Sequence, residues 1–204
     1  MPARLIIATT NRNKLREIRA LLADVPVELI GLDTLPSVAE PEETGATFQE
    51  NARLKALYYD QALGLTLTDG PFLVVAEDSG LVVDALDGEP GVRSARFLRA
   101  DASYPERFVE IFRRLAERPG RPRTARFVCA LSVVREGEIL FETMGTVEGE
   151  IAEAPRGQRG FGYDPIFYYA PYERTLGEVE DEEKLRVAHR GHAFRRLAEW
   201  LRES

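Results

Sequence analysis

A short apolar run at residues 5–8 stops at Thr9-Thr10-Asn11, after which Leu15, Ile18, Leu21 and Leu22 recur at helical spacing. This pattern predicts a strand, a tight turn and a helix reaching Asp24. A second strand is expected over 27–32, then a Pro- and Glu-rich loop over 33–45, then a helix over 47–63 that Gly64 stops. Residues 72–76 form the most apolar strand, with Glu77-Asp78-Ser79-Gly80 at its carboxyl end and a further extended run over 81–86. Asp87-Gly88-Glu89-Pro90-Gly91 reads as a turn. Phe108, Ile111, Phe112 and Leu115 mark another helix, ended by 118–122. Strands over 125–134 and 139–147 read as a hairpin around Glu136-Gly137-Glu138. A glycine-rich loop over 155–162 leads to an aromatic strand over 166–169, and helical signals return over 178–188 and 191–202. Strands that alternate with helices early and pair as a hairpin late predict an α/β fold with a central mixed β-sheet flanked by helices. The pattern is compatible with a single elongated, two-lobed domain over 1–204.

Composition narrows the function classes. The 204 residues carry 34 acidic and 27 basic side chains, a net charge of −7, which argues against binding nucleic acid or an anionic membrane through the overall field. The single cysteine, Cys129, excludes an internal disulfide and any multi-cysteine metal site, and its apolar neighbours suit a buried structural thiol. No apolar run approaches the roughly 20 residues of a membrane span, and Met1-Pro2-Ala3-Arg4 leads straight into a strand pattern without a signal peptide, so a cytoplasmic location is expected. The basic residues are 24 arginines and only three lysines, Lys14, Lys55 and Lys184. Asparagine is as rare, at Asn11, Asn13 and Asn51, and the two histidines are His189 and His192.

These rare residues gather in short stretches. Thr9-Thr10-Asn11-Arg12-Asn13-Lys14 lies between a strand end and a helix start, where unpaired N–H groups, hydroxyls and an ammonium can cradle a phosphate. An ordinary helix cap is the alternative, and GxxxxGK[ST] is absent. Asn51 and Lys55, four apart, share a helix face and can address one ligand, or else form a polar outer face. Glu77 and Asp78, with Glu42 and Glu43 of the acidic loop, offer the oxygen ligands that Mg²⁺ prefers, although Asp-Ser-Gly is also a common turn. Gly160-Phe161-Gly162-Tyr163-Asp164 permits close backbone approach to a flat ligand on which Phe161 or Tyr163 stacks; the alternative is a turn with core aromatics. The stretch from Lys184 to His189 and Arg190 is rich in donors, unless Lys184 pairs with a helix acid and His189 caps a helix C-terminus.

Taken in order, the motifs resemble those of the inosine/xanthosine triphosphate pyrophosphatase family from Leu5 to about Leu201. Its Ser/Thr-x-Asn-x-x-Lys matches Thr9 to Lys14, its Glu-Glu-Thr-Gly matches Glu42 to Gly45, and its Glu-Asn-Ala-x-x-Lys-Ala matches Glu50 to Ala56. Its Asp-Ser-Gly-Leu-x-Val-Asp-Ala-Leu matches Asp78 to Leu86, followed by Pro90-Gly91 and Ser94 to Phe97. Its Gly-Phe-Gly-Tyr-Asp-Pro-Ile-Phe matches Gly160 to Phe167, and its Glu-Glu-Lys and Ser-His-Arg-Gly match Glu182 to Lys184 and Ala188 to Gly191. Glu77 replaces an aspartate common in relatives, and Ala188 replaces a serine.

The resemblance implies Mg²⁺-dependent hydrolysis of ITP, dITP and XTP at the α-phosphate, giving monophosphate and pyrophosphate and cleansing the nucleotide pool. It implies Asp78 as proton acceptor, Glu43 and Asp78 as metal ligands, and substrate contacts at Thr9, Thr10, Asn11, Arg12, Asn13, Lys14, Lys55, Ser79, Phe161, Gly162, Tyr163, Asp164, Lys184, His189 and Arg190. Donors from His189, Arg190 or nearby N–H groups would favour a base with a carbonyl at position 6 over adenine. A homodimer is implied too, to which Tyr168, Tyr169 and Tyr172 can contribute, although core packing is the alternative reading for some of them, and no nucleic-acid or membrane partner is expected. Two other classes stay open: a catalytically silent nucleotide-binding regulator and a pyrophosphatase acting on modified pyrimidine nucleotides.

Overall fold

The computed structural model describes residues 3–67 and 70–203; Met1 and Pro2, where the reading of the N-terminus begins, lie outside them. The elements run β1 (Ala3–Ile7), α1 (Arg12–Leu21), β2 (Val27–Gly31), α2 (Phe48–Gly64), β3 (Phe72–Val83), α3 (Tyr104–Ala116), β4 (Thr124–Arg135), β5 (Glu138–Ile151), β6 (Phe167–Tyr169), β7 (Arg174–Thr175), α4 (Asp181–Val187) and α5 (His189–Glu203). The strands form one sheet in the order β2-β1-β3-β4-β5-β6-β7. β1 pairs in parallel with β2 and β3, whereas β6 is antiparallel to β5 and β7, so the sheet is mixed as the pattern predicted.

The chain divides into two compact units. The first comprises the chain up to Asp78, Cys129–Gly145 and the chain from Arg190; the second comprises Ser79–Val128 and Thr146–His189. In the first unit β1 is buried on both faces, which explains its unbroken apolar run. Leu5 and Ile7 pack with Leu15, Ile18 and Leu22 of the α1 segment and Phe194, Leu197 and Leu201 of α5. Ile6 and Ala8 face the other way, against Ala56, Tyr59 and Leu63 of α2. In the second unit Phe108, Ile111 and Leu115 of α3 close over Leu81, Val83, Phe127, Val147 and Phe167. Tyr169 and Tyr172 meet edge to face at 5.1 Å and pack against this core.

Several boundaries differ from expectation. Glu77-Asp78-Ser79-Gly80 does not follow a strand or form a turn; it lies inside β3, which runs unbroken from Phe72 to Val83. Gly80 makes this possible, because a Cβ there would meet Ser94 Oγ at 2.4 Å and the Gly91 carbonyl at 2.6 Å. Ser94 Oγ in turn accepts from the Leu81 N–H at 2.9 Å. β7 has no counterpart in the sequence pattern, because it is two residues held by tertiary pairing. The last two helices meet at Ala188, whose ψ of 156° is extended, so His189 opens α5 instead of capping the end of α4. α3 begins at a Ser103–Glu106 capping box that the apolar spacing alone did not mark.

Candidate active site

In the first unit, β3 carries Glu77 and Asp78 as consecutive residues, so their side chains leave opposite faces of the strand. Both are buried, at 4% and 5% exposure. Asp78 Oδ2 accepts from Asn51 Nδ2 at 3.0 Å, and Oδ1 lies 3.5 Å from Lys55 Nζ. Lys55 Nζ also donates to Glu43 Oε1 at 2.6 Å. Asn51 and Lys55 thus do share a face of α2, as their spacing predicted. Asn51 Oδ1 accepts from the Gly45 N–H at 2.8 Å, fixing the end of the acidic loop to the helix. Gly45 is needed there, since a Cβ would sit 2.7 Å from both Asn51 Oδ1 and Glu50 Cβ. Glu43, Asp78 and Lys55 therefore converge because one asparagine ties loop, helix and strand together.

The electrostatics follow from this packing. Burial raises the Asp78 carboxyl above its ordinary range; Lys55 opposes that and the nearby Glu43 charge reinforces it. Burial would lower Lys55, but Asp78 and Glu43 outweigh it and hold the ammonium charged. Glu77 behaves differently. Burial again favours the neutral acid, yet Arg190, Lys14 and Lys55 hold it well below the usual carboxylate range. Its Oε1 lies 3.0 Å from Lys14 Nζ and 3.0 Å from Arg190 Nη2, while Oε2 accepts from the Cys129 thiol at 3.2 Å. Cys129 is fully buried, and burial beside Glu77 pushes its thiol well up, which makes it a donor and not a nucleophile.

Arg190 was expected among the substrate contacts. Its guanidinium is instead buried between Glu77 and Glu17, whose Oε2 it meets at 2.6 Å, and its placement is that of a charge-balancing core residue. No local pattern marks Glu17, because its partner is 173 positions away.

Residues Thr9 to Lys14 join β1 to α1. Asn11 is the N-cap, its Oδ1 accepting from the N–H groups of Asn13 at 3.0 Å and Lys14 at 3.2 Å, while Thr9 Oγ1 accepts from the Asn11 N–H at 3.2 Å. The cap thus already engages two amides that an anion cradle would use. The Thr10 hydroxyl donates to Glu40. Thr10, Asn11 and Arg12 are exposed, and Asn13 and Lys14 half-buried.

In the second unit, Asp164 and Lys184 form a nearly fully buried pair at 2.6 Å. Asp164 Oδ2 also accepts from the Phe161 N–H at 2.8 Å. Gly160 has φ of +67°, and a Cβ there would lie 2.1 Å from Asp164 Oδ2, so this turn requires glycine. The turn presents the half-buried Phe161 ring, with Lys184 Nζ 4.7 Å from its centroid. Tyr163, expected as a stacking candidate, is a core residue: it is buried, donates its hydroxyl to the Ser94 carbonyl at 2.8 Å and meets Tyr104 edge to face at 5.2 Å. His189 is buried and stacked on Phe127 at 4.9 Å. Gly162 and Ser79 are half-buried.

A mixed-sheet α/β protein that gathers two carboxylates, an ammonium and an asparagine at the middle of its third strand is the class that fold and site define. Residues 5–200 match the Ham1 family, and the chain belongs to it. It is 47% identical to the dITP/XTP pyrophosphatase of Symbiobacterium thermophilum over 200 residues, covering 97% of this chain and 94% of that protein. It is 43% identical to the dITP/XTP pyrophosphatase of Geobacillus kaustophilus over 199 residues, covering 98% and 94%. A Ham1 protein structure from Coxiella burnetii superposes with a TM-score of 0.87 at 35% identity, covering 99% of this chain and all of that one.

Proposed function

We propose that this protein hydrolyses deaminated purine nucleoside triphosphates, ITP, dITP and XTP, at the α-phosphate to the monophosphate and pyrophosphate. The observation that carries the reading is the convergence of Glu43, Asp78 and Lys55 in one buried cluster. Family membership and the names of the relatives support the substrate class.

The donor set fits Mg²⁺. Glu43 and Asp78 are hard oxygen donors already drawn around a cation, the Lys55 ammonium, and Mg²⁺ takes one or two carboxylates with substrate phosphates and water. No group of three candidate ligands forms among the described residues, which suits an ion completed by substrate. When bound, the ion would offset the charge of the phosphates. Asp78, held between Asn51 and Lys55, is the carboxylate that would accept the proton of the attacking water. Lys14, Lys55 and the Thr9 and Thr10 hydroxyls hold phosphate oxygens. Asn51 and Glu77 act through others, Asn51 by orienting Asp78 and Glu77 by placing Lys14.

Base selection falls to the second unit. The Phe161 ring, backed by Lys184, offers a stacking face, and N–H donors near position 6 favour a carbonyl over the amine of adenine. The reading includes a cytoplasmic homodimer, as the family resemblance implies.

Pyrophosphate release from dITP, XTP, dUTP and ATP, with Mg²⁺ and then with chelator, tests the proposal. Release from dITP and XTP that chelator abolishes is expected. Release from dUTP alone would favour a pyrimidine enzyme, and release from none would favour a silent regulator.

A further inference from the structure

Glu17 and Arg190 are packed too deeply in the first unit to meet a ligand themselves, at 4% and 1% exposure. Charge is kept in such a place only when it is paired, and the pairing here leads toward the phosphate motif. Arg190 is a planar fork with donors on both sides. Its Nη1 meets Glu17 Oε2 at 2.6 Å, while Nη2 and Nε meet Glu77 Oε1 at 3.0 and 3.3 Å. Lys14 Nζ addresses that same oxygen at 3.0 Å, and Glu77 Oε2 accepts from the Cys129 thiol. Two cations therefore compete for one oxygen of Glu77. Of the two, Lys14 is the one within reach of a ligand, its side chain being 17% exposed against 2% for Arg190. Glu17 sets the outcome of that competition. It gives Arg190 a second carboxylate, so the guanidinium is not drawn wholly to Glu77 and enough of the Glu77 charge is left to hold Lys14. Glu17 and Lys14 stand three apart on α1, so the helix that carries the lysine also carries the acid that balances its rival.

We propose that Glu17 is a positioning residue for the phosphate end of the substrate, fixing the place of Lys14 Nζ through Arg190 and Glu77. The inference rests on reading Lys14 as a phosphate-binding residue of a pyrophosphohydrolase. Without the Glu17 charge, Arg190 closes on Glu77 and Lys14 loses the anchor that keeps it aimed. The substrate must then order the lysine as it binds, which weakens binding of the phosphates more than it slows the chemical step. Inorganic pyrophosphate, which has phosphates and no base, isolates this effect.

The test measures kcat and KM for dITP and the inhibition constant of inorganic pyrophosphate at fixed Mg²⁺. It compares the unmodified protein, Glu17→Gln, Lys14→Ala and the double variant. Glu17→Gln keeps the shape and an acceptor and removes the charge. It is expected to raise KM and the pyrophosphate inhibition constant together by about tenfold, with kcat within about threefold. In the Lys14→Ala background the same change is expected to shift pyrophosphate binding by less than about twofold, because the residue it acts through is gone. Glu17→Asp, which keeps the charge one methylene short, is expected to lose less, and is read by the same criteria if Glu17→Gln does not fold. Unchanged pyrophosphate binding in Glu17→Gln overturns the inference, even if selection between dITP and dATP alters, since the cluster would then serve the base. Losses that multiply in the double variant also overturn it, because Glu17 would then act independently of Lys14. Both results leave the proposed function standing, which fails if the unmodified protein releases no pyrophosphate from dITP or XTP.

Discussion

Asp78 is asked to be ionised, buried and close to another carboxylate, and its surroundings meet these demands unequally. Asn51 and Lys55 favour the charged form, while burial and Glu43 resist it, with a net rise in pKa. Asp78→Asn keeps the shape and an acceptor for Asn51 but removes the base. It should lower kcat on dITP by about 10²- to 10⁴-fold with the circular-dichroism spectrum unchanged, and near-normal turnover would exclude Asp78 from the role. Lys55→Arg is the subtler probe. A compact ammonium 2.6 Å from Glu43 is replaced by a planar fork in a buried space. A loss of about 10- to 100-fold in kcat/KM is expected, and a value within twofold of the original would mean that charge alone matters there. The scarcity of lysine and asparagine pointed to these positions: Lys14, Lys55 and Lys184 all have buried or half-buried carboxylate partners. What the sequence did not disclose is who those partners are. Glu17 and Glu77 meet Arg190 only once the chain has folded, and a string containing Arg-Gly after His reads locally as a donor-rich stretch.

Among the elements, β3 is the least legible and the most consequential. Asp-Ser-Gly is turn chemistry in isolation, and only the close approach of Ser94 and Gly91 to Gly80 shows why the strand continues through it. The first strand was legible because burial on both faces leaves an unbroken apolar run, and α2 was legible as a helical stretch running to Gly64, although its Thr47–Glu50 capping box went unread. In the Phe161 turn, Asp164 and Lys184 are mutually dependent. Lys184→Met leaves a carboxylate buried without its cation, and should destabilise the fold by about 3–5 kcal/mol in urea unfolding. Adding Asp164→Asn should recover part of that loss, and strictly additive losses would contradict a coupled pair. α3 supplies a pH signature. Glu106, held by Arg99 and Ser103, titrates at about 2 when folded against an ordinary value of 4.5. A depressed acid contributes stability that is present above the unfolded value and is lost as pH falls toward the folded one. Glu106→Gln should therefore be less stable than the unmodified protein at pH 7, with the two melting temperatures converging between about pH 4.5 and 2. A constant gap across that window would show that the carboxylate charge is not what the cap uses.

At the scale of the whole molecule, two units have separate cores and each holds its own group of candidate residues. The first holds the carboxylates and two lysines, and the second holds the aromatic turn and the third lysine. The α/β class and mixed sheet were readable from the order of strands and helices, because early alternation and a late hairpin each constrain pairing. The division into units was not, since each is assembled from separated stretches of chain. Attack of water on the α-phosphorus is tested by hydrolysis of dITP in H₂¹⁸O. One ¹⁸O atom in dIMP and unlabelled pyrophosphate are expected. Label in the pyrophosphate, or release of orthophosphate with dIDP, would contradict it.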